Sequence, residues 1–208
     1  MRFLIVLLSV ILLSGCFDFK IERNKKKDQN ETQHAYTPEQ LELKSYLDIY
    51  FMQLQNLNTE SIIDMTYPKL FTHVNKTVFK EYINTLLTSK HINIESFDTK
   101  LISLGEVQPY SNGEFAQINY MSTIKLNFIN PKLYSDDLSI RILNDVLSRK
   151  YGKENIDINP IERTIVIKKE EKLIAIKDHG CEWKFVGDNS AYRTLYPRFL
   201  LPDLLSKI

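Results

Sequence analysis

Apolar positions change their spacing repeatedly along this 208-residue chain, and each change marks an element. Residues 3–13 form a nearly unbroken apolar run behind Arg2. At about 1.5 Å per helical residue that run covers roughly 16 Å, too short to span about 30 Å of hydrocarbon. Residues 17–36 offer little to bury and carry the basic cluster Arg23, Lys25, Lys26 and Lys27, so they read as a tether. From Thr37-Pro38-Glu39-Gln40 the chain shows a helix start: threonine as cap, proline at the first position and glutamine to close a capping box. Leu43, Leu47, Tyr50, Leu54 and Leu57 then recur every three or four residues, which predicts an amphipathic helix over 38–57. A short helix is expected over 60–66, ending before Pro68. Another is expected over 76–89, with Val78, Phe79, Tyr82, Ile83, Leu86 and Leu87 as its buried face.

The period then becomes two. Residues 92–110 read as extended, Ser111-Asn112-Gly113 as a hairpin turn, and 114–129 as a long alternating strand. One face of that strand carries Ala116, Ile118, Tyr120, Ser122, Ile124, Leu126 and Phe128, and the other is more polar. A long strand that is apolar on one side implies a curved antiparallel sheet wrapped around helices. Helical spacing returns at 136–151, with Ser135 as the expected cap and Gly152 past the end. Closing strands are expected over 163–177, with a turn at 169–171, and over 181–187. The tail from Tyr192 to Ile208 is expected to form a short helix packed over the curved sheet or its open end. The fold class is therefore α+β, with N-terminal helices on a curved antiparallel sheet and an extra helix inserted between strands.

Charge excludes one broad class. The chain holds 27 basic and 26 acidic residues, and loss of residues 1–15 removes only Arg2, leaving 26 of each. A nucleic-acid binder concentrates a basic excess on one face, and no nucleic-acid partner is expected. Histidines 34, 73, 91 and 179 show no recurrent ligand spacing, and the six glycines form no phosphate loop, so neither metal nor cofactor is expected. The Asp136-Asp137 pair suits the positive end of the following helix better than acid–base chemistry. Cys181, within the segment Cys181-Glu182-Trp183-Lys184-Phe185-Val186, is expected as a small core residue.

Arg2, the apolar run, and Leu13-Ser14-Gly15-Cys16 resemble the signal peptide and lipobox of bacterial lipoproteins. The resemblance implies a diacylglyceryl group on the Cys16 thiol, removal of residues 1–15, and Cys16 as the first residue of the mature chain. Residues 16–36 then tether a single α+β domain at 37–208 to a membrane in the cell envelope. The 20 residues after Cys16 span about 70 Å extended or roughly 25 Å as a coil. Phe17, rather than aspartate, follows Cys16, which in a Gram-negative host points to the outer membrane, facing the periplasm. With Cys16 lipidated, Cys181 has no partner in the chain.

Three helices followed by a long antiparallel sheet, with Tyr67-Pro68-Lys69-Leu70-Phe71 after the second helix and Trp183-Lys184-Phe185-Val186 on the last strand, resemble the nuclear transport factor 2-like or cystatin-like fold. That family folds a conical sheet around a pocket. Some members are isomerases or dehydratases and many bind ligands or proteins without catalysis, so fold alone does not choose. The resemblance nominates Asp64, Tyr67, His73 and Tyr120 as candidate catalytic residues. None belongs to a motif of defined spacing. The leading expectation is a non-catalytic envelope domain that binds a small apolar ligand or another envelope protein. The alternatives are an isomerase- or dehydratase-like enzyme using an Asp, Tyr or His in the cone, and a structural part of an envelope assembly, which predicts a broad exposed apolar patch.

Overall fold

The computed structural model describes residues 35–208 apart from Leu133, and at Leu86 and 190–192 the backbone alone. The expected signal peptide, the lipobox with Cys16 and nearly all of the tether lie outside the described residues. No described helix is long and apolar enough to cross a membrane.

The capping box forms as the sequence predicts. Thr37 Oγ1 accepts from the Gln40 N–H at 3.2 Å, and Gln40 Oε1 accepts from the Thr37 N–H at 3.0 Å. Helix α1 follows at Pro38–Gln55 and buries Leu43, Leu47, Tyr50 and Phe51. Two short helices come next, α2 at Thr59–Met65 and α3 at Lys76–Leu87, each begun by an asparagine whose side chain accepts from the first-turn amides. A 3₁₀ turn at Pro68–Thr72 separates them. The buried face expected for α3 is only partly realised. Val78 is 60% exposed, and Phe79, Tyr82, Ile83 and Leu87 are half-buried.

The sheet is antiparallel and curved, with β1 at Ile92–Leu104, β2 at Gln108–Tyr110, β3 at Gly113–Phe128, β4 at Ile156–Asn159, β5 at Thr164–Asp178 and β6 at Lys184–Gly187. Its centre is the β3–β5 pair, in register from Gly113↔Asp178 to Asn127↔Thr164. β1 and then β2 line the outer edge of β3, while β4 and β6 line that of β5. The extended stretch expected over 92–110 is thus two strands. It breaks at Gly105, whose N–H donates to the Gln117 carbonyl at 2.8 Å, so close that a Cβ there would meet that same oxygen. At Gly113, which closes the β2–β3 turn, a Cβ would run into the Lys177 carbonyl.

Helix α4, Asp137–Tyr151, is inserted between β3 and β4. Its cap is Asp136 rather than Ser135: the Asp136 carboxylate accepts from the Ser139 N–H at 2.8 Å and from the Ser139 hydroxyl at 2.7 Å. A carboxylate at this end of a helix also meets the positive pole of the macrodipole, which a hydroxyl cannot exploit as well. Gly152 ends the helix with φ +88°.

Three apolar clusters hold these parts together. On one face of the sheet α1 covers Ala116, Ile118, Tyr120, Leu173, Ala175, Trp183 and Phe185. On the same face, farther along the strands, α4 places Leu143 and Leu147 over Leu126, Phe128, Ile165 and Ile167. The opposite face is polar along most of its length, but at one end Phe115, Ile174, Ile176 and Val186 are sealed by the C-terminal tail. The tail is a 3₁₀ segment, Ser190–Arg198, and a short helix, α5, at Pro202–Leu205, contributing Tyr196, Phe199, Leu200 and Leu204. Cys181 is exposed in the turn after β5 rather than buried in a strand, because its N–H closes that turn on the Asp178 carbonyl at 2.9 Å. The core position belongs to Trp183, fully buried two residues later.

Candidate functional site

Two polar clusters interrupt the apolar packing, and each holds one of the four candidate side chains. The first sits at mid-sheet, between the core under α1 and the core under α4. β5 carries five consecutive charged residues there, 168–172. Strand alternation leaves Lys168, Glu170 and Lys172 exposed and turns Lys169 and Glu171 onto the helix-covered face. Lys169 Nζ lies 2.8 Å from Glu171 Oε1, with the two side chains 15% and 25% exposed. On β3, Ser122 stands opposite Lys169 and Tyr120 opposite Glu171, and the Ser122 hydroxyl donates to the Lys169 carbonyl at 3.2 Å. Thr99 of β1 extends the polar row beyond Ser122. Burial pushes the Glu171 carboxyl up, and the Lys169 charge offsets only part of that rise. Burial, reinforced by the Glu171 charge, pushes the Tyr50 hydroxyl up to about 12 and Tyr120 well above its ordinary value. Both phenols therefore stay protonated at neutral pH and do not act as bases there.

The turn expected at 169–171 does not form. The run 168–172 contains no Gly, Pro, Asn or Asp, the residues that supply turn geometry. The apolar positions also keep one phase across it: Ile165, Ile167, Leu173 and Ala175 all face the same side. That conserved phase is the sequence signal for a continuous strand with Lys169 and Glu171 turned inward.

The second cluster centres on Asp178, at the end of β5. Tyr110 and Tyr67 donate their hydroxyls to its carboxylate, Tyr67 at 3.3 and 3.4 Å, and Lys69 Nζ stands 3.0 Å away. Burial raises the carboxyl, but hydrogen bonds from Tyr110, Lys69 and Asn112 more than offset it and leave Asp178 below the usual carboxylate range. Burial likewise raises both tyrosines. A carboxylate so well supplied with donors is a weak base and a good clamp. It ties the chain after α2 to β2 and β5. Neither Asp178 nor Tyr110 follows from sequence spacing, since their meeting depends on which strands pair.

The four candidates are spread over distinct environments. Asp64 is 72% exposed at its side chain and pairs with Lys76 at 3.4 Å. His73 lies on the surface, its Nε2 2.8 Å from the Arg198 carbonyl, and so ties the turn before α3 to the tail. Tyr67 belongs to the Asp178 clamp. Tyr120 lies under α1, its ring 5.1 Å from that of Phe51, with Glu171 opposite.

The concave side of the sheet beneath α1 is filled. Trp183, Phe185, Leu43, Leu47 and Ile118 are each at most 1% exposed, and Tyr50 stacks on Phe185 at 4.7 Å. Near α4 a depression lined by Phe128, Tyr134, Leu143, Ile158 and Arg163 has a volume of about 10 Å³, close to the room one water needs. No protein-family model, curated protein or solved structure matches the chain.

Proposed function

We propose that this chain is a lipid-anchored domain of a bacterial cell envelope, held on the outer membrane where the host is Gram-negative, and that it works by binding another envelope protein rather than by catalysis. The observation that carries the binding half is the filled interior. Where a nuclear transport factor 2-like cone would hold a small ligand, α1 and Trp183 occupy the space; of the candidate side chains Asp64 and His73 are at the surface, Tyr67 is tied into the Asp178 clamp, and Tyr120 is packed under α1 against Phe51. Apolar side chains are instead presented outward: Leu41, Ile49 and Met52 on α1, Leu138 and Ile142 on α4, and Ile161 at the β4–β5 turn, 94% exposed. Ile49 and Met52 lie one turn apart on α1, as Leu138 and Ile142 do on α4, and neighbouring exposed apolar groups are the usual mark of a protein partner. The anchor half rests on the lipobox ending at Cys16.

The test has two arms. In the full chain, Cys16→Ser should abolish incorporation of labelled fatty acid, and unchanged labelling would remove the anchor. A photoreactive residue at Met52, Ile142 or Ile161, in native membranes, should give a discrete protein adduct absent from the exposed polar position Asp157. Adducts no stronger than at Asp157 would remove the binding half.

One observation favours a second reading, an isomerase- or dehydratase-like enzyme: Glu171, with its raised carboxyl, stands opposite Tyr120 on the helix-covered face, and such perturbed groups are enriched at active sites. That reading requires turnover of a small ketone or hydroxy compound that Glu171→Gln abolishes.

A further inference from the structure

β1 is an edge strand. Its one strand partner among the described residues is β3, so its other side presents unpaired backbone groups, which make an edge a template for a further strand. Register shifts at Ile94/Ser96 and Leu101/Ser103 interrupt it, leaving residues 96–101 as its regular part. Within that part Phe97, Thr99 and Leu101 face the helix-covered side, half-buried, while Asp98 and Lys100 are exposed on the other. Among the described residues neither Asp98 nor Lys100 forms an ion pair.

We propose that the free edge of β1 pairs antiparallel with β1 of a second copy of this chain, about a two-fold axis through Thr99. Symmetry and charge together select that register. Opposed residues in an antiparallel pair carry their side chains on the same face, so a two-fold axis normal to the sheet must pass through a residue. An axis at Asp98 sets Asp98 against its own copy, and one at Lys100 sets lysine against lysine. The axis at Thr99 alone opposes Asp98 to Lys100, twice, on the exposed face. It also opposes Phe97 to Leu101, twice, on the apolar face. Opposite charges directly across a strand pair attract and like charges repel, which makes this register favourable and its neighbours unfavourable. The interruptions at both ends limit the seam to a few rungs, so the dimer is weak and is populated best where copies are crowded on a membrane.

The test uses the full chain in bacterial membranes with Cys181→Ser, and any disulfide this parent forms through Cys16 is subtracted as the baseline, so that the remainder reports the introduced thiol. Opposed Cα atoms in an antiparallel pair lie about 4.5–5.5 Å apart, within disulfide range. Thr99→Cys should therefore yield disulfide-linked dimer on mild oxidation at least about tenfold faster than Asn93→Cys, which stands far from its own copy in this register. Added to Thr99→Cys, either Asp98→Lys or Lys100→Asp replaces two attractive contacts by two repulsive ones, and dimer should fall about thirtyfold. Co-expressing those two variants should restore it, because each supplies the charge the other lacks. That rescue also shows that both variants fold. The proposal is overturned if Thr99→Cys links no faster than Asn93→Cys, if it links to a different protein instead, or if the mixed variants stay unlinked. The crowding rests on the anchor proposed above, so recovery of the parent in the membrane fraction is measured first: a chain absent from membranes tells against the anchor, whereas a membrane-held chain whose Thr99→Cys variant links no faster than Asn93→Cys tells against the dimer.

Discussion

Replacing Lys169 and Glu171 together by Met and Leu should leave the protein as stable as the parent or more stable, whereas replacing either alone should weaken it. The two charges sit 2.8 Å apart at the sheet waist with apolar clusters on both sides. Removing one partner of a fully buried pair costs about 3–5 kcal/mol, because the survivor keeps its desolvation penalty and loses its compensation. Side chains 15% and 25% exposed retain some hydration, so about 1–3 kcal/mol is expected for Lys169→Met or Glu171→Leu singly. Removing both charges abolishes both penalties. Full burial of Leu or Met contributes about 1.5–3 kcal/mol, and the partial burial available here about 1–2 kcal/mol each, so the double variant should fall within about 1 kcal/mol of the parent or above it. Urea unfolding of the four proteins at neutral pH closes a double-mutant cycle with a coupling of at least about 2 kcal/mol. A pH series adds an independent check with a definite sign. The Glu171 carboxyl is raised in the folded state, so its contribution is fully present below the ordinary value of 4.5 and is lost as pH rises through the raised one. The parent should lose that increment between mildly acid and neutral pH, and the double variant should not. Single variants within about 0.5 kcal/mol of the parent, or a double variant whose loss equals the sum of the singles, would refute the reading of the waist as a desolvated ion pair.

At the other pole of the sheet, Asp178→Asn should cost about 1.5–3 kcal/mol by weakening the bonds from Tyr67, Tyr110 and Lys69. Asp178 has the opposite pH sign to Glu171: its folded carboxyl is depressed, so its contribution is present above the ordinary 3.8 and lost as pH falls through the folded value, and acid unfolding monitored from pH 5 downward should be shallower in Asp178→Asn than in the parent. Phe115→Ala, at a side chain 2% exposed beneath the tail, should cost about 3–5 kcal/mol and speed amide exchange at Tyr196–Leu204, with exchange under α4 changed much less.

The helices were legible where local chemistry is self-sufficient. The box at Thr37 and Gln40 and the stripe Leu43, Leu47 and Tyr50 need no distant partner to be read. The hairpin turn at Ser111-Asn112-Gly113 and the buried face Ala116, Ile118, Tyr120, Ser122, Leu126 and Phe128 were equally plain. β4 was missed because four residues carry too little alternation to distinguish from a loop, and it is recognisable only through its pairing of Ile156 with Ile167 and Asn159 with Thr164. Of the candidate site, Tyr67 and Tyr120 lie in polar clusters, yet the groups that define those clusters, Asp178 and Tyr110 in one, Glu171 and Lys169 in the other, come from strands far apart in the chain.

By itself, the sequence determined the type and facing of α1 and β3, because the 3.6- and 2-residue periods of burial are written into neighbouring positions, and it carries the pattern Leu13-Ser14-Gly15-Cys16, which is purely local. The tertiary structure decided which carboxylate meets which phenol, that the concave side of the sheet is filled by Trp183 and α1, that Phe115 needs the tail, and that β1 has a free edge among the described residues. Those outcomes depend on strand order and register, and antiparallel pairing brings Gly113 to Asp178 and Tyr120 to Glu171 across a separation that no local period encodes.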